Sequence, residues 1–540
     1  MNEWANPRRG GGDYDLLLDL AGQRSRAGLE EALRTAVRDG RLAPGTRLPS
    51  SRVLARDLGL ARNTVADAYG QLVAEGWLTA RQGSGTTVAP RPAEGAGASV
   101  RGPASGPGPV RGPASVPGPV RGPAPVRGAA SGPGAADVRG SVPGAASVPG
   151  YGARGAVPPA GEAPRSGPAE LAPYETALPY ALWPGSPDLG SFPRTGWLRA
   201  ARRALTAAPN DAFGYTDPRG RPELRTALAG YLARVRGVRT DPGNLVICTG
   251  YTQAVGLLAR VLYARGARRA AVEEVGLPDI PTVLRAAGLD PVPLPVDADG
   301  ARVEALDAGT PAVVLTPAHQ FPLGVRLSPA RRTAVVAWAR STGGLVVEDD
   351  YDGEFRYDRQ PVAALQALAP DHVVYAGTAS KSLAPALRLA WLAVPPHLLA
   401  AVVREKRLAD HQSAVLDQLT LAEFIGSGAY DRHVRRMRLR YRARRDRVVR
   451  VLAERAPGVR VSGIAAGLHA LAELPASAGP VDAVVARAHR LGLSVPSLAV
   501  FGRAVSHPPA LVVGYARPPD HAFAQALDLL CRALDAGGGG

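Results

Sequence analysis

From Arg91 to Glu170 the chain is built almost wholly of Gly, Pro, Ala, Ser, Val and Arg, and no other stretch constrains its architecture as much. Prolines every few residues remove backbone donors. With almost no Leu, Ile or aromatic side chain, the stretch has no core to bury. The block Val100-Arg101-Gly102-Pro103-Ala104-Ser105 recurs from Val110 and, in part, from Val120. Such a composition predicts a disordered, semi-extended linker over 91–170, net positive through its arginines. It divides the chain into an N-terminal extension, 1–26, a compact segment, 27–90, and a long alternation of strand-like and helix-like stretches over 171–535.

The formal charge of +17 favours polyanionic partners, although an arginine-rich composition produces such a balance without a nucleic-acid role. Hydrophobic residues at 46% with only 7 Phe and 2 Met indicate a soluble core of Leu, Val and Ala. No run reaches about 18 uncharged apolar residues. The first residues, with Glu3, Arg8 and Arg9, lack the apolar core of a signal peptide. A cytoplasmic, nucleoid-associated protein with no membrane partner is expected. Cys248 and Cys531 are too few for a disulfide framework or a zinc site and read as buried thiols, so no metal site is expected.

In the compact segment, Leu29, Leu33, Val37 and Leu42 mark a helical stripe through Leu29 to Asp39 that Gly40 closes. Pro49-Ser50-Ser51-Arg52 opens a second helix with a serine to cap its free amides, and Gly59 turns the chain. A third begins at Arg62-Asn63-Thr64-Val65. Val65, Tyr69 and Leu72 share one face, which leaves Arg62, Asn63 and Thr64 exposed at the helix N-terminus, where a recognition helix reads base edges. Arg62 suits guanine, Asn63 adenine, and Arg52 a phosphate. Trp77-Leu78-Thr79-Ala80 and Thr86-Thr87-Val88 read as short strands around a glycine-rich wing that includes Gly83. Over residues 27–89 these motifs closely resemble the GntR-type winged helix-turn-helix. That resemblance implies binding of a double-stranded DNA operator by a homodimer. Ala61 departs from the pattern, which carries Ser or Thr there; the missing cap is expected to cost about 1 kcal/mol of local stability.

The 64 lysines and arginines include only two lysines. One, Lys381, follows the strand-like run Val373-Val374-Tyr375-Ala376 and the turn Gly377-Thr378-Ala379-Ser380. Arginine cannot shed its proton to form an imine, whereas a lysine with a lowered pKa can attack an aldehyde. Upstream, Leu245-Val246-Ile247-Cys248 reads as a buried strand leading into Thr249-Gly250-Tyr251-Thr252-Gln253 and an apolar helix from Ala254 to Ala264. Strand, glycine turn and helix N-terminus make an anion site, to which the Tyr251 and Thr252 hydroxyls add bonds. Leu345-Val346-Val347 is another strand, ending in Glu348-Asp349-Asp350-Tyr351-Asp352, and α/β sheets build their sites at that end. Together with Arg388, the set supplies what pyridoxal 5'-phosphate needs: an imine-forming amine, a carboxylate for the ring nitrogen, and hydroxyls plus an arginine for the phosphate.

Residues 175–535 resemble the fold-type I aminotransferase domain, a large α/β unit with a small C-terminal α+β subdomain. By that resemblance Lys381 carries the cofactor as an internal aldimine and Asp349 pairs with the pyridine nitrogen, with Asp350 as the alternative. Tyr351 would meet the ring oxygen. Thr378, Ser380, Arg388, Tyr251 and Thr252 would hold the phosphate, joined by Tyr215 from the partner subunit of a homodimer. The winged helix, the linker and an aminotransferase-like domain carrying Thr316-Pro317-Ala318-His319-Gln320-Phe321-Pro322 together resemble MocR-type regulators, also called the GabR group. There the cofactor domain acts as sensor and dimerisation module, and a ligand that prefers one domain arrangement shifts DNA affinity.

Two departures argue against ordinary transamination, and a third position is altered beside them. Leu277 stands where the family has a tyrosine stacked on the ring. Leu511-Val512-Val513-Gly514-Tyr515 lacks the arginine that clamps a substrate carboxylate, leaving Arg517 or Arg503 as substitutes. Phe321 replaces an asparagine, leaving His319 or Gln320 to make its contact. The reading is a transcription regulator without net turnover, whose effector is pyridoxal phosphate itself or an amino acid or amine. An active aminotransferase carrying a DNA-binding module, and a regulator with a decayed cofactor site, are the alternatives.

Overall fold

The computed structural model describes residues 18, 20, 25–75, 77–81, 85–89, 178–357, 362–502 and 507–535. The linker expected over 91–170, Gly83 of the wing and Arg503 lie outside the described residues.

The N-terminal head consists of α1 (Arg26–Arg38), α2 (Ser51–Leu58) and α3 (Arg62–Ala74), followed by the antiparallel pair β1 (Leu78–Arg81) and β2 (Gly85–Val88). Leu29, Leu33, Leu54, Val65, Tyr69 and Leu72 bring the apolar faces of the three helices into one core, which Leu78 and Val88 of the wing strands close. Ser50 Oγ accepts the Val53 amide at 3.4 Å and so caps α2, as its sequence position predicts. Gly59 ends that helix at φ 66°, a left-handed conformation that favours glycine. Ala61 stands at the head of α3 with no side-chain hydrogen bond to its free amides. Ala61→Ser is therefore expected to stabilise the head by about 1 kcal/mol, seen as a higher urea midpoint for its transition; an unchanged midpoint would mean that water already satisfies those amides.

The large domain is built on a seven-stranded sheet. Its strands are β3 (Leu245–Cys248), β4 (Arg269–Glu273), β5 (Asp290–Leu294), β6 (Ala312–Leu315), β7 (Leu345–Asp349), β8 (Val373–Thr378) and β9 (Ala390–Ala393), in the order β3-β9-β8-β7-β6-β4-β5. All neighbours are parallel except β9, which runs antiparallel to both β8 and β3. Helices cover both faces, so the central strands are apolar on every side, as their unbroken Leu and Val runs suggest. Alternation along β3 shows the two cores. Val246 and Cys248 pack with α5 (Tyr251–Ala264), while Leu245 and Ile247 pack with α4 (Pro222–Arg236). The helix α6 (Pro396–Asp410) joins the first core through Leu398 and Val402.

A long helix, α7 (Ala429–Arg455), leads into the small domain, an antiparallel sheet of β10 (Arg460–Ser462), β11 (His469–Glu473) and β12 (Ala510–Gly514). Helices α8 (Val481–Arg490) and α9 (Asp520–Leu534) pack on it over a core that includes Leu468, Val484, Leu511 and Leu530. The fold is the winged head plus aminotransferase-like α/β domain that the sequence resemblance implies. Among the described residues no helix is long and apolar enough to cross a membrane.

Candidate functional site

The carboxyl ends of the parallel strands, where α/β sheets bind ligands, surround a cavity of about 750 Å³. Lys381, Asp349, Tyr351, Tyr251, Thr252, Thr378, Ser380 and Arg388, separate in sequence, all line it. Lys381 Nζ donates to the Gly185 carbonyl at 2.6 Å. Burial holds its amine below the ordinary lysine value, with the Asp349 and Asp352 carboxylates opposing the shift. Lys406 competes with no such role: it is fully buried on α6 and ion-paired with Asp410.

The acid cluster separates by strand alternation. Glu348 and Asp350 turn away from the cavity. Glu348 accepts the Leu365 and Gln366 amides at 2.7 and 2.8 Å, and burial pushes its carboxyl up to about 7. Asp350 binds the Arg236 guanidinium through two bonds of 2.6 and 2.8 Å and accepts the Tyr375 hydroxyl at 2.7 Å. Asp349 alone of the three faces the cavity. Burial, then the neighbouring Asp350 charge, raises its carboxyl well above the usual range. A cationic ring nitrogen is the partner that would restore its charge.

At the other end, the Arg388 guanidinium packs onto Gly250, where a Cβ would run into it, and the turn between β3 and α5 takes φ 113° at that glycine. The N-terminal amides of α5, the Thr252 hydroxyl and Arg388 thereby converge on one pole of the cavity, the favourable end of the helix dipole for a dianion. Thr378 Oγ1 bonds Ser380 Oγ at 2.9 Å and receives the Ser380 amide at 3.1 Å, which sets both hydroxyls in one turn. Tyr251 Oη is buried against the Asp349 carboxylate: burial first, then that charge and hydrogen bond, raise its phenol well above the ordinary value. Amine, acid and anion cup, with the glycine cradle, fit pyridoxal phosphate.

Other wall residues carried no sequence signal. Trp183, Gly185 and Ser186 approach from the start of the domain, and Glu273 ends β4. Burial pushes Glu273 up to about 7, against a 2.5 Å bond from the Thr316 hydroxyl. Leu277, Phe321 and Phe501 add apolar wall beside the charged Glu274 and Arg517. Val512 of β12 is buried with Leu471 and Phe501, so no charged side chain comes from that strand, while Arg517 lines the cavity just beyond it. Neither expected substitute for the missing asparagine reaches the cavity. Gln320 Nε2 is spent on the Val275 and Phe321 carbonyls at 2.8 and 2.6 Å, and His319 lies behind Tyr351. Tyr215 also stays outside: it is 91% exposed and its ring rests on His411 at 5.7 Å. Cys248 and Cys531 are buried free thiols, and burial pushes Cys248 up to about 12.

On the head, Arg52 is exposed at the second position of α2, Arg62 and Asn63 are exposed at the start of α3, and Thr64 is half-buried behind them. A concave surface lies between α3, the segment Pro49 to Ser51 and the wing strands.

Residues 26–88 match the bacterial regulatory proteins of the gntR family, and residues 186–491 match aminotransferase class I and II. The chain is 32% identical over 429 residues to the probable rhizopine catabolism regulatory protein MocR of Rhizobium meliloti, covering 79% of this chain and 76% of that protein. The chain belongs to the MocR-type regulators. Another relative in that group is the HTH-type pyridoxine biosynthesis transcriptional regulator PdxR of Corynebacterium glutamicum, 28% identical over 90% of this chain and 91% of its own. Among solved structures, an archaeal alanine:glyoxylate aminotransferase superposes at a TM-score of 0.60 with 26% identity, over 66% of this chain and 90% of the enzyme. As a MocR-type protein, the chain is a DNA-binding transcriptional regulator with an aminotransferase-like domain, and that fold implies dependence on pyridoxal phosphate.

Proposed function

We propose that this regulator captures pyridoxal phosphate covalently on Lys381, works as a homodimer, and reports the cofactor's presence through operator binding. The juxtaposition of the Lys381 amine, the Asp349 carboxylate and the Arg388–Gly250 anion cup in one cavity carries the proposal. When bound, the cofactor supplies an aldehyde that condenses with an amine, losing its oxygen as water. Lys381 provides the nitrogen, and its burial favours the neutral amine that attacks. Asp349 pairs with the ring nitrogen. Tyr351 faces the ring oxygen, and Thr252, Thr378, Ser380 and Arg388 hold the phosphate. Tyr215, displayed on the surface, is offered to the cavity of a second copy.

β12 offers no charged side chain to a substrate carboxylate, which favours an effector other than an α-amino acid, and Arg517 at the cavity wall is, among the described residues, the one guanidinium besides Arg388 placed to meet such a group. The cofactor itself fits the cavity without a carboxylate clamp, and one relative is named for pyridoxine biosynthesis. The test is a pyridoxal phosphate titration followed by visible absorbance, borohydride reduction and peptide mapping, beside operator binding with and without cofactor. A reduced adduct on Lys381 and cofactor-sensitive DNA binding are expected; DNA binding that ignores the cofactor but responds to an amine or amino acid would replace the effector.

On the head, Arg62, Asn63 and Thr64 read bases and Arg52 holds a phosphate. Arg62→Ala is expected to weaken binding to DNA selected by the wild-type protein about 10- to 100-fold, while cofactor capture is unchanged. Equal binding by the variant in a mobility-shift titration would move recognition away from α3.

A further inference from the structure

The helix α7 carries eleven arginines against three acids, and the cofactor reading uses none of them. Five serve the domain's own packing. Arg438 donates to the Glu354 carbonyl at 2.7 Å, and Arg440 and Arg444 each reach Asp520 at 2.7 Å. Arg445 donates to the Ile464 carbonyl at 2.8 Å, and Arg455 pairs with Asp528 at 2.9 Å. A sixth, Arg435, turns to the winged head. The remaining five, Arg432, Arg436, Arg442, Arg447 and Arg450, are exposed, and none of them meets a carboxylate among the described residues. Arg432 donates to the Ser427 carbonyl at 3.4 Å and Arg436 to His433 Nδ1 at 3.0 Å, contacts that leave both charges uncompensated.

Helical spacing turns four of these arginines into a ridge. At about 100° per residue, Arg432, Arg436, Arg447 and Arg450 fall within about 60° of one another, along about 27 Å of the helix. Arg442 lies on its flank. Leu439, 60% exposed, and Ala443 interrupt the row and leave two arginine pairs about 22 Å apart. The exposed acids do little to neutralise it, because Asp446 is bound by Arg445 and Glu454 stands a turn beyond the last arginine. Like charges at i,i+4 and i,i+3, as in Arg432–Arg436 and Arg447–Arg450, repel and weaken a helix. A polyanion laid on the ridge relieves that repulsion.

The contact with the head indicates which polyanion. Head and cofactor domain belong to one compact unit. Arg435, beside the ridge at its N-terminal end, donates to Asp57 Oδ2 on α2 at 2.7 Å, and Arg239 approaches Asp39 at the end of α1 at 3.9 Å. Asp57 lies about 8 Å along α2 from the exposed Arg52. We infer that the exposed ridge of α7 is a second DNA-contacting surface, on which the duplex leaving the head lays its phosphates, outside the bases that α3 reads. Guanidinium groups spaced along one helix face neutralise a sugar–phosphate backbone without reading sequence. The ridge's length matches the axial rise of about eight phosphates on one strand.

The inference rests on DNA binding by the head and not on cofactor capture. Its test is a salt titration of affinity for DNA selected by the wild-type protein, read as the slope of log affinity against log salt. Each phosphate neutralised on a duplex contributes about 0.9 to that slope. The combined substitution Arg432→Gln, Arg436→Gln, Arg447→Gln and Arg450→Gln is expected to lower the slope by about 3 on a long fragment, and to leave it unchanged on the same site trimmed to its recognised bases. Arg→Lys at the same four positions keeps the charge and should keep the wild-type slope, which separates lost contact from lost folding. Arg62→Ala acts on the trimmed site as well, so the head and the ridge fail separately. An unchanged slope on the long fragment would overturn the inference, as would an equal fall on both fragments. An unchanged slope joined to lost binding of polyglutamate would give the ridge to an acidic protein instead.

Discussion

Lys381→Ala is expected to abolish covalent capture of pyridoxal phosphate, because no other side-chain amine can replace it. The second lysine, Lys406, is fully buried and bound to Asp410, so it cannot approach an aldehyde. Borohydride treatment should add cofactor mass to the wild-type protein and none to the variant. The anion cup remains, so the variant keeps weak non-covalent binding through Arg388 and the α5 amides. Operator binding should then respond only at much higher cofactor concentration. Trapping on any other residue of the variant would remove Lys381 from the centre of the site.

The second large effect lies one residue beyond Asp349. Asp350→Ala leaves the Arg236 guanidinium, only 4% exposed, without the carboxylate that holds it through two short bonds. Breaking a buried pair from one side costs about 3–5 kcal/mol because the remaining charge is left uncompensated. Loss of Asp350 also strips the Tyr375 hydroxyl of its acceptor. The cofactor domain should unfold at a markedly lower denaturant concentration, while the winged head, with its own core, keeps its transition. Asp350→Leu with Arg236→Met, which removes both charges, is expected to recover most of the loss. A drop of less than about 1 kcal/mol for Asp350→Ala would indicate that water reaches the pair.

These two aspartates show how far the sequence could be read. An acid cluster at the end of a strand pointed to the site, and only the spacing of the family motif put Asp349 ahead of Asp350. What separates them is the pleat, which turns neighbours to opposite faces, and Arg236, a partner distant in sequence. The capping serine, the glycine turn after α2 and the strand-to-helix turn at Gly250 were legible because each is a local device written in a few adjacent residues. Glu273 and the segment from Trp183 to Ser186 were not: their roles come from chain segments that meet only in the fold. His319 was singled out for the wrong contact, since its motif gives no sign that Tyr351 would stand between it and the cavity.

The buried state of Lys406 has a chemical corollary. A protein whose surface bristles with lysines collects reactive aldehydes everywhere, and its specific adduct is diluted among accidental ones. Here the side-chain amines number two, one facing the cavity and one sealed inside α6. Only an aldehyde shaped to enter the cavity would find an accessible lysine on this chain, so the proposed capture would carry little background, its selectivity set by access as much as by affinity.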